Sequence, residues 1–132
     1  MSHDPNCIFC KIVEGQIPSR KVYEDDELLA FHDIAPWAPV HFLIIPKEHV
    51  PTLADTQPEK HQALLGRILS LAPQLIAEQG VTNGFRCVIN NGPDGGQEVY
   101  HLHLHVMGGP RPWPKADVVS HASPKLPLPL GD

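Results

Sequence analysis

Seven consecutive residues, His101-Leu-His-Leu-His-Val-Met107, put an imidazole at every second position and an apolar side chain in each gap. A β-strand sends successive side chains to opposite faces. The run therefore predicts a strand with His101, His103 and His105 along one face, and Leu102, Leu104 and Val106 turned into a core. A row of imidazoles on a rigid element has three chemical uses. It can bind a metal, bind a phosphate through N–H donors, or set a nucleophilic imidazole beside its acid–base partners. The internal position and the interleaved leucines exclude an affinity tag.

Other residues could serve the same chemistry. Cys7-Ile-Phe-Cys10 has the spacing of half a zinc site, and two further ligands must then come from elsewhere. The same spacing also suits a redox pair, although no strand precedes it, or two reduced, partly buried thiols. His49, between Pro46 and Pro51, is a plausible third ligand. Asp33 ends an apolar run, where a carboxylate can accept hydrogen bonds from two ribose hydroxyls. Gly92, Gly95 and Gly96 lie in a loop leading into the histidine run and can form an anion-binding nest of backbone N–H groups.

The elements that must position these groups follow from periodicity and punctuation. Residues 7–14 read as a short helix stopped by Gly15. Strands are predicted over 20–23, 28–33, 40–46 and 85–90, with an acidic turn at 24–27 and Cys87 as a small hydrophobe in the last of them. The stretch 40–46 is nearly all apolar, as in a central strand. Thr56 and Glu59 match a capping box, Pro58 suits a first turn, and apolar residues then recur at helical spacing. One long helix over about 57–79 is expected, kinked at Pro73. Residues 1–113 should form one domain, and residues 114–132 a proline-rich tail; Trp113 sits at the boundary.

The chain has 132 residues, 42% hydrophobic and 19% charged, enough for one folded core. A net charge of −5 argues against a protein that holds nucleic acid on a basic surface. No apolar run approaches the roughly 20 residues that span a bilayer, and nothing resembles a secretory signal. Three cysteines, an odd count, point to a reducing, cytoplasmic setting rather than a disulfide scaffold.

The histidine run, with its approach Gly95-Gly-Gln-Glu-Val-Tyr100 and its exit Gly108-Gly109, closely resembles the histidine triad (HIT) superfamily, and within it the Hint branch of nucleotide-binding proteins. Phe31-His-Asp-Ile34, Ala38-Pro39 and His41-Phe-Leu-Ile-Ile-Pro-Lys47 extend the likeness over residues 7–113. The resemblance implies an α+β fold with a five-stranded antiparallel sheet and one long helix, joined into ten strands across a homodimer. It implies binding of purine nucleoside monophosphates and hydrolysis of the P–N bond of nucleoside phosphoramidates. Alternatives are a dinucleoside-polyphosphate hydrolase or nucleotidyl transferase, and a nucleotide-binding interaction protein.

By this resemblance His103 is the nucleophile and His105 a phosphate-binding and leaving-group partner. His101 orients the nucleophile, and His41 extends that chain. Asp33 and Ile34 contact ribose and base, Asn90 contacts the phosphate side, and Gly96, Gln97, Glu98 and Val99 form the loop around the phosphate. Some bacterial relatives hold structural zinc at positions matching Cys7, Cys10, His49 and His101. Glu98 departs from the pattern, since well-known members carry Ser there; a carboxylate is a poor anion ligand and suits a cationic leaving group.

Overall fold

The computed structural model describes residues 3–113, and the proline-rich stretch expected from 114 onward lies outside them. Among them are two α-helices and five strands. In order they are α1 (Ile8–Val13), β1 (Lys21–Glu24), β2 (Leu28–His32), β3 (Val40–Pro46), α2 (Pro58–Glu78), β4 (Phe85–Val88) and β5 (Leu104–Gly108). The strands form one antiparallel sheet in the order β1-β2-β3-β5-β4. This is the α+β architecture expected, with β3 central as its apolar sequence requires. Among the described residues no helix is long and apolar enough to cross a membrane.

Strand parity decides what each face touches. Leu28, Ala30, Phe42, Ile44, Leu104 and Val106 pack with Ile68, Ala72, Leu75 and Ile76 of α2 in the larger core. The alternate residues Leu29, Phe31, Leu43 and Ile45 pack with Cys7, Phe9, Cys10 and Ile12 of the α1 segment. Period-two alternation thus gives the sheet two buried faces, each covered by one helix. His41 and His105 fall on the α1 side, in register with Met107 and Leu43.

Three details differ from the expectations. The histidine run is only partly strand: β5 begins at Leu104, because the Leu102 N–H leaves the ladder and donates to Val50 O at 2.7 Å. The capping box lies one turn early, on Thr52 and Asp55 of a 3-10 turn. Thr56 instead donates its hydroxyl to Leu53 O, and α2 starts from Gln57 with Pro58 in its first turn. Pro73 lies inside α2, as expected. Cys87 is exposed: it pairs with Val106 on the α2 face of the sheet, but β4 is the edge strand, which α2 does not cover.

Trp113 closes the described chain as a buried residue. It packs on Ala38 and Met107 and donates its indole N–H to Gly109 O at 3.0 Å.

Candidate active site and metal centre

A cleft of about 450 Å³ opens on the α1 face of the sheet. Its apolar end is lined by Ile8, Phe9, Ile12, Phe31 and Leu43, and its polar end by Asp33, Asn90, Glu98, His103 and His105. Ile34 stands fully exposed at the rim. Gly96 and Val99 complete the wall on the loop side.

The hydrogen bonds fix which nitrogen of each imidazole carries the proton. His103 Nδ1 lies 2.7 Å from His101 O, and a carbonyl can only accept, so Nδ1 is the donor. Burial pushes the His103 pKa below its ordinary value, so the ring is neutral near pH 7 and its Nε2 carries a lone pair. His41 is read the same way. The Trp37 backbone N–H donates to His41 Nδ1 at 3.0 Å, which puts the His41 proton on Nε2. Burial also lowers the pKa of His41. That Nε2–H donates to His105 Nδ1 at 3.0 Å, so His105, held neutral by burial with a pKa lowered to about 4, carries its proton on Nε2. Asp33 Oδ2 stands 3.6 Å from His41 Nε2 behind this pair. The Trp37 ring stacks on His105 and the Phe9 ring meets His103 edge-on, so both imidazoles are held in place. One neutral lone pair and one neutral donor therefore stand side by side, on rings 4.9 Å apart.

Within the expected pairing of His101 with the nucleophile, the contact is made by the His101 backbone carbonyl, which accepts from His103 Nδ1. His41 extends the chain behind His105, not behind His101.

The His101 ring faces elsewhere. Its Nε2 donates to Pro46 O at 2.7 Å, which leaves Nδ1 with a lone pair 3.4 Å from Cys7 Sγ and 3.6 Å from Cys10 Sγ. His49 Nδ1 lies 3.3 Å from Cys10 Sγ. All four ligand atoms lie within 4.8 Å of one another, so Cys7, Cys10, His49 and His101 form a group that could hold a metal ion. A tetrahedral ion with metal–sulfur bonds of about 2.3 Å and metal–nitrogen bonds of about 2.0 Å sets its S and N ligands about 3.5 Å apart. The three S···N separations match that spacing. Burial pushes the Cys10 thiol up to about 11, so a dication supplies what would hold it as thiolate. The residues fit.

The glycine loop is built differently from a nest. Gly95 N donates to Gly92 O, Gly96 N to Pro93 O, and Gly92 N to Gln97 Oε1, so these N–H groups are committed within the loop. Gln97 is buried and spends its amide on Pro51 O and Val99 O. It supports the loop rather than lining the cleft. At Gly95 a Cβ would meet Asn91 O at 2.3 Å, so only glycine fits there. The apolar wall from α1 and the Trp37 contacts were missed from sequence. The i, i+4 spacing of Ile8 and Ile12, about one helical turn, was the trace of the α1 wall.

Burying neutral imidazoles has a consequence in acid. The folded-state pKa values of His41, His103 and His105 lie below the ordinary value of the unfolded chain. Their stabilising contribution is fully present above about pH 6.5 and is lost as pH falls toward 4, because the unfolded chain takes up protons first. A loss on the order of 2–4 kcal/mol between pH 7 and pH 4.5 is expected in urea unfolding. A flat profile over that window would contradict buried, neutral rings.

The comparisons with known proteins agree with this geometry. Residues 14–111 match the model of the HIT domain. The chain is 52% identical to Protein HitA of Neisseria gonorrhoeae, over 80% of this chain and 97% of that protein. A HIT family hydrolase from Legionella pneumophila Philadelphia 1 superposes with a TM-score of 0.77 at 49% identity, covering 83% of this chain and 98% of its own. A histidine triad protein from Clostridium difficile gives 0.78 at 46% identity, covering 83% and 96%. The chain belongs to the HIT domain family.

Proposed function

We propose that this protein is a purine nucleoside phosphoramidase of the Hint type, working through a transiently nucleotidylated His103. The observation that carries the reading is the fixed tautomer of His103: its Nδ1–H is spent on His101 O, so the Nε2 lone pair is left for a cleft-bound phosphorus. A neutral imidazole approaches an anionic phosphoryl group without charge repulsion. In the first step the Nε2–P bond forms, the P–N bond breaks, and the leaving nitrogen takes up a proton. Water then attacks phosphorus, returns that proton and frees His103. His105 Nε2 is the shuttle group beside it. Ile34 and the apolar end of the cleft suit a base, and Asp33 suits the ribose hydroxyls. Asn90, Gly96, Glu98 and Val99 surround the phosphate end.

Zinc is the ion we assign to the Cys7–Cys10–His49–His101 group, as a closed Cys2His2 structural site rather than a catalytic one. The three cysteines, all free among the described residues, suit a cytoplasmic, reducing setting. The outer strand β4, with Phe85 exposed on it, is the edge through which two copies would join their sheets into one of ten strands.

The experiment is intact-mass measurement after mixing with adenosine 5'-phosphoramidate. A gain of one nucleotidyl group, with release of adenosine monophosphate, is the expected result. Turnover of a diadenosine polyphosphate but not of the phosphoramidate would favour the polyphosphate hydrolase instead. Glu98 makes no ion pair or hydrogen bond among the described residues and lines the cleft. Its Glu98→Ser variant is expected to lose preference for a lysyl over a neutral-amine phosphoramidate, by roughly 3- to 10-fold in kcat/KM. Unchanged relative rates would end that assignment.

A further inference from the structure

His101 takes part in both centres at once. Its ring belongs to the Cys7–Cys10–His49–His101 group, and its backbone carbonyl accepts the Nδ1–H of His103. Residues 101–103 lie ahead of β5, outside the sheet ladder. What holds that carbonyl is a short set of bonds: His101 N to Val99 O, Leu102 N to Val50 O, and the two ends of the His101 ring. Val50 itself follows the ligand His49. On the opposite side, Phe9 sits between the ligands Cys7 and Cys10 and packs edge-on against both His101 and His103. The four ligands thus tie together α1, the turn after β3 and the segment that carries the nucleophile.

We infer that this metal centre is a positioning device for catalysis: ligation of His101 holds the backbone carbonyl that keeps His103 in its Nδ1–H tautomer. The inference rests on the reading of His103 as nucleophile and of the four-residue group as a zinc site. Cys7, Cys10 and His49 are then positioning residues that act through His101. Without the ion the His101 ring keeps its Pro46 bond and, at Nδ1, only the weak hydrogen bond of a thiol S–H from Cys7 or Cys10. The carbonyl is then held mainly by the His101 N–Val99 O and Leu102 N–Val50 O bonds, its orientation is less fixed, and His103 samples both tautomers. In the Nε2–H form it has no lone pair to offer phosphorus.

The test compares zinc-loaded wild type with His49→Ala and His49→Cys. The readouts are bound zinc, the 15N shifts of the two His103 ring nitrogens, and the single-turnover rate of adduct formation. In zinc-free His49→Ala, judged folded by circular dichroism, the split nitrogen shifts are expected to move toward each other. Adduct formation should slow by about tenfold or more, since small misplacements cost that much. His49→Cys, which keeps four ligands, should restore both. Split shifts and a rate within about twofold of wild type in the zinc-free variant would overturn the inference. Wild type loaded with Cd2+, which keeps the fold and lengthens the ligand bonds, is a second arm. Its His103 shifts should differ from those of the zinc form, and identical shifts would also overturn the inference. Absence of any adduct in loaded wild type would refute the proposed reaction, while the shift comparison would still decide the coupling.

Discussion

Replacing His103 with alanine is expected to abolish the nucleotidyl adduct and lower kcat/KM for an adenosine phosphoramidate by about 10³- to 10⁵-fold, as removal of a covalent nucleophile does. Affinity for adenosine monophosphate should change far less. The apolar end of the cleft is built from Ile8, Phe9, Ile12 and Phe31; of these Phe9 packs on the imidazole, and it is also held edge-on by Phe31. The fold should also survive. His103 lies outside β5, and its side chain makes one hydrogen bond, to the carbonyl next but one before it. Removing it leaves one acceptor to be satisfied, a cost of about 1–2 kcal/mol. The decisive measurement is single-turnover mass spectrometry of both proteins, with monophosphate binding measured by calorimetry. An adduct on His103→Ala would move the nucleophile to another group, with His105 the nearest candidate.

The second large effect concerns stability. Cys10→Ser is expected to remove bound zinc and lower the melting temperature by roughly 10 °C or more, equivalent to a loss of about 3 kcal/mol. Cys10 is almost completely buried, and its sulfur lies within 3.6 Å of both His49 and His101. A serine hydroxyl there is shorter, a weaker ligand, and would be buried beside two imidazoles without the ion. The α1 segment is a six-residue helix, capped by the Cys7 sulfur on the Cys10 N–H. Apart from its ligands it is anchored by packing on Leu29, Phe31, Leu43 and Ile45 and by the contacts of Phe9 with His101 and His103. Chelation of the wild-type protein should reproduce the shift, and re-addition of zinc should reverse it. A melting temperature indifferent to both would show that the four residues pack without an ion.

These two expectations differ in how far the sequence alone supports them. The alternation of His101 to Val106 already told which side chains face a core and which a site, because that depends only on the local pleat of an extended backbone. Leu104 and Val106 do enter the α2 core, and His103 and His105 do line the cleft. The long helix was legible for the same kind of reason: Pro58 opens it, and apolar residues at helical spacing give it one buried stripe. The family resemblance supplied the rest of the fold.

Protonation and pairing were not legible. Which nitrogen of His103 bears the proton is set by the carbonyl two residues away, and that of His105 by His41, 64 positions distant, and in turn by the Trp37 N–H. Sequence placed His41 behind His101; antiparallel pairing of β3 with β5 puts it beside His105 instead. The glycine loop looked like a nest until its own turns consumed the N–H groups. Residue types and the pleat of an extended backbone were enough to say which side chains could be chemical and which way a strand would point them. What each donor and acceptor meets depended on the folded chain, since hydrogen-bond partners are brought together by segments whose separation no local pattern encodes.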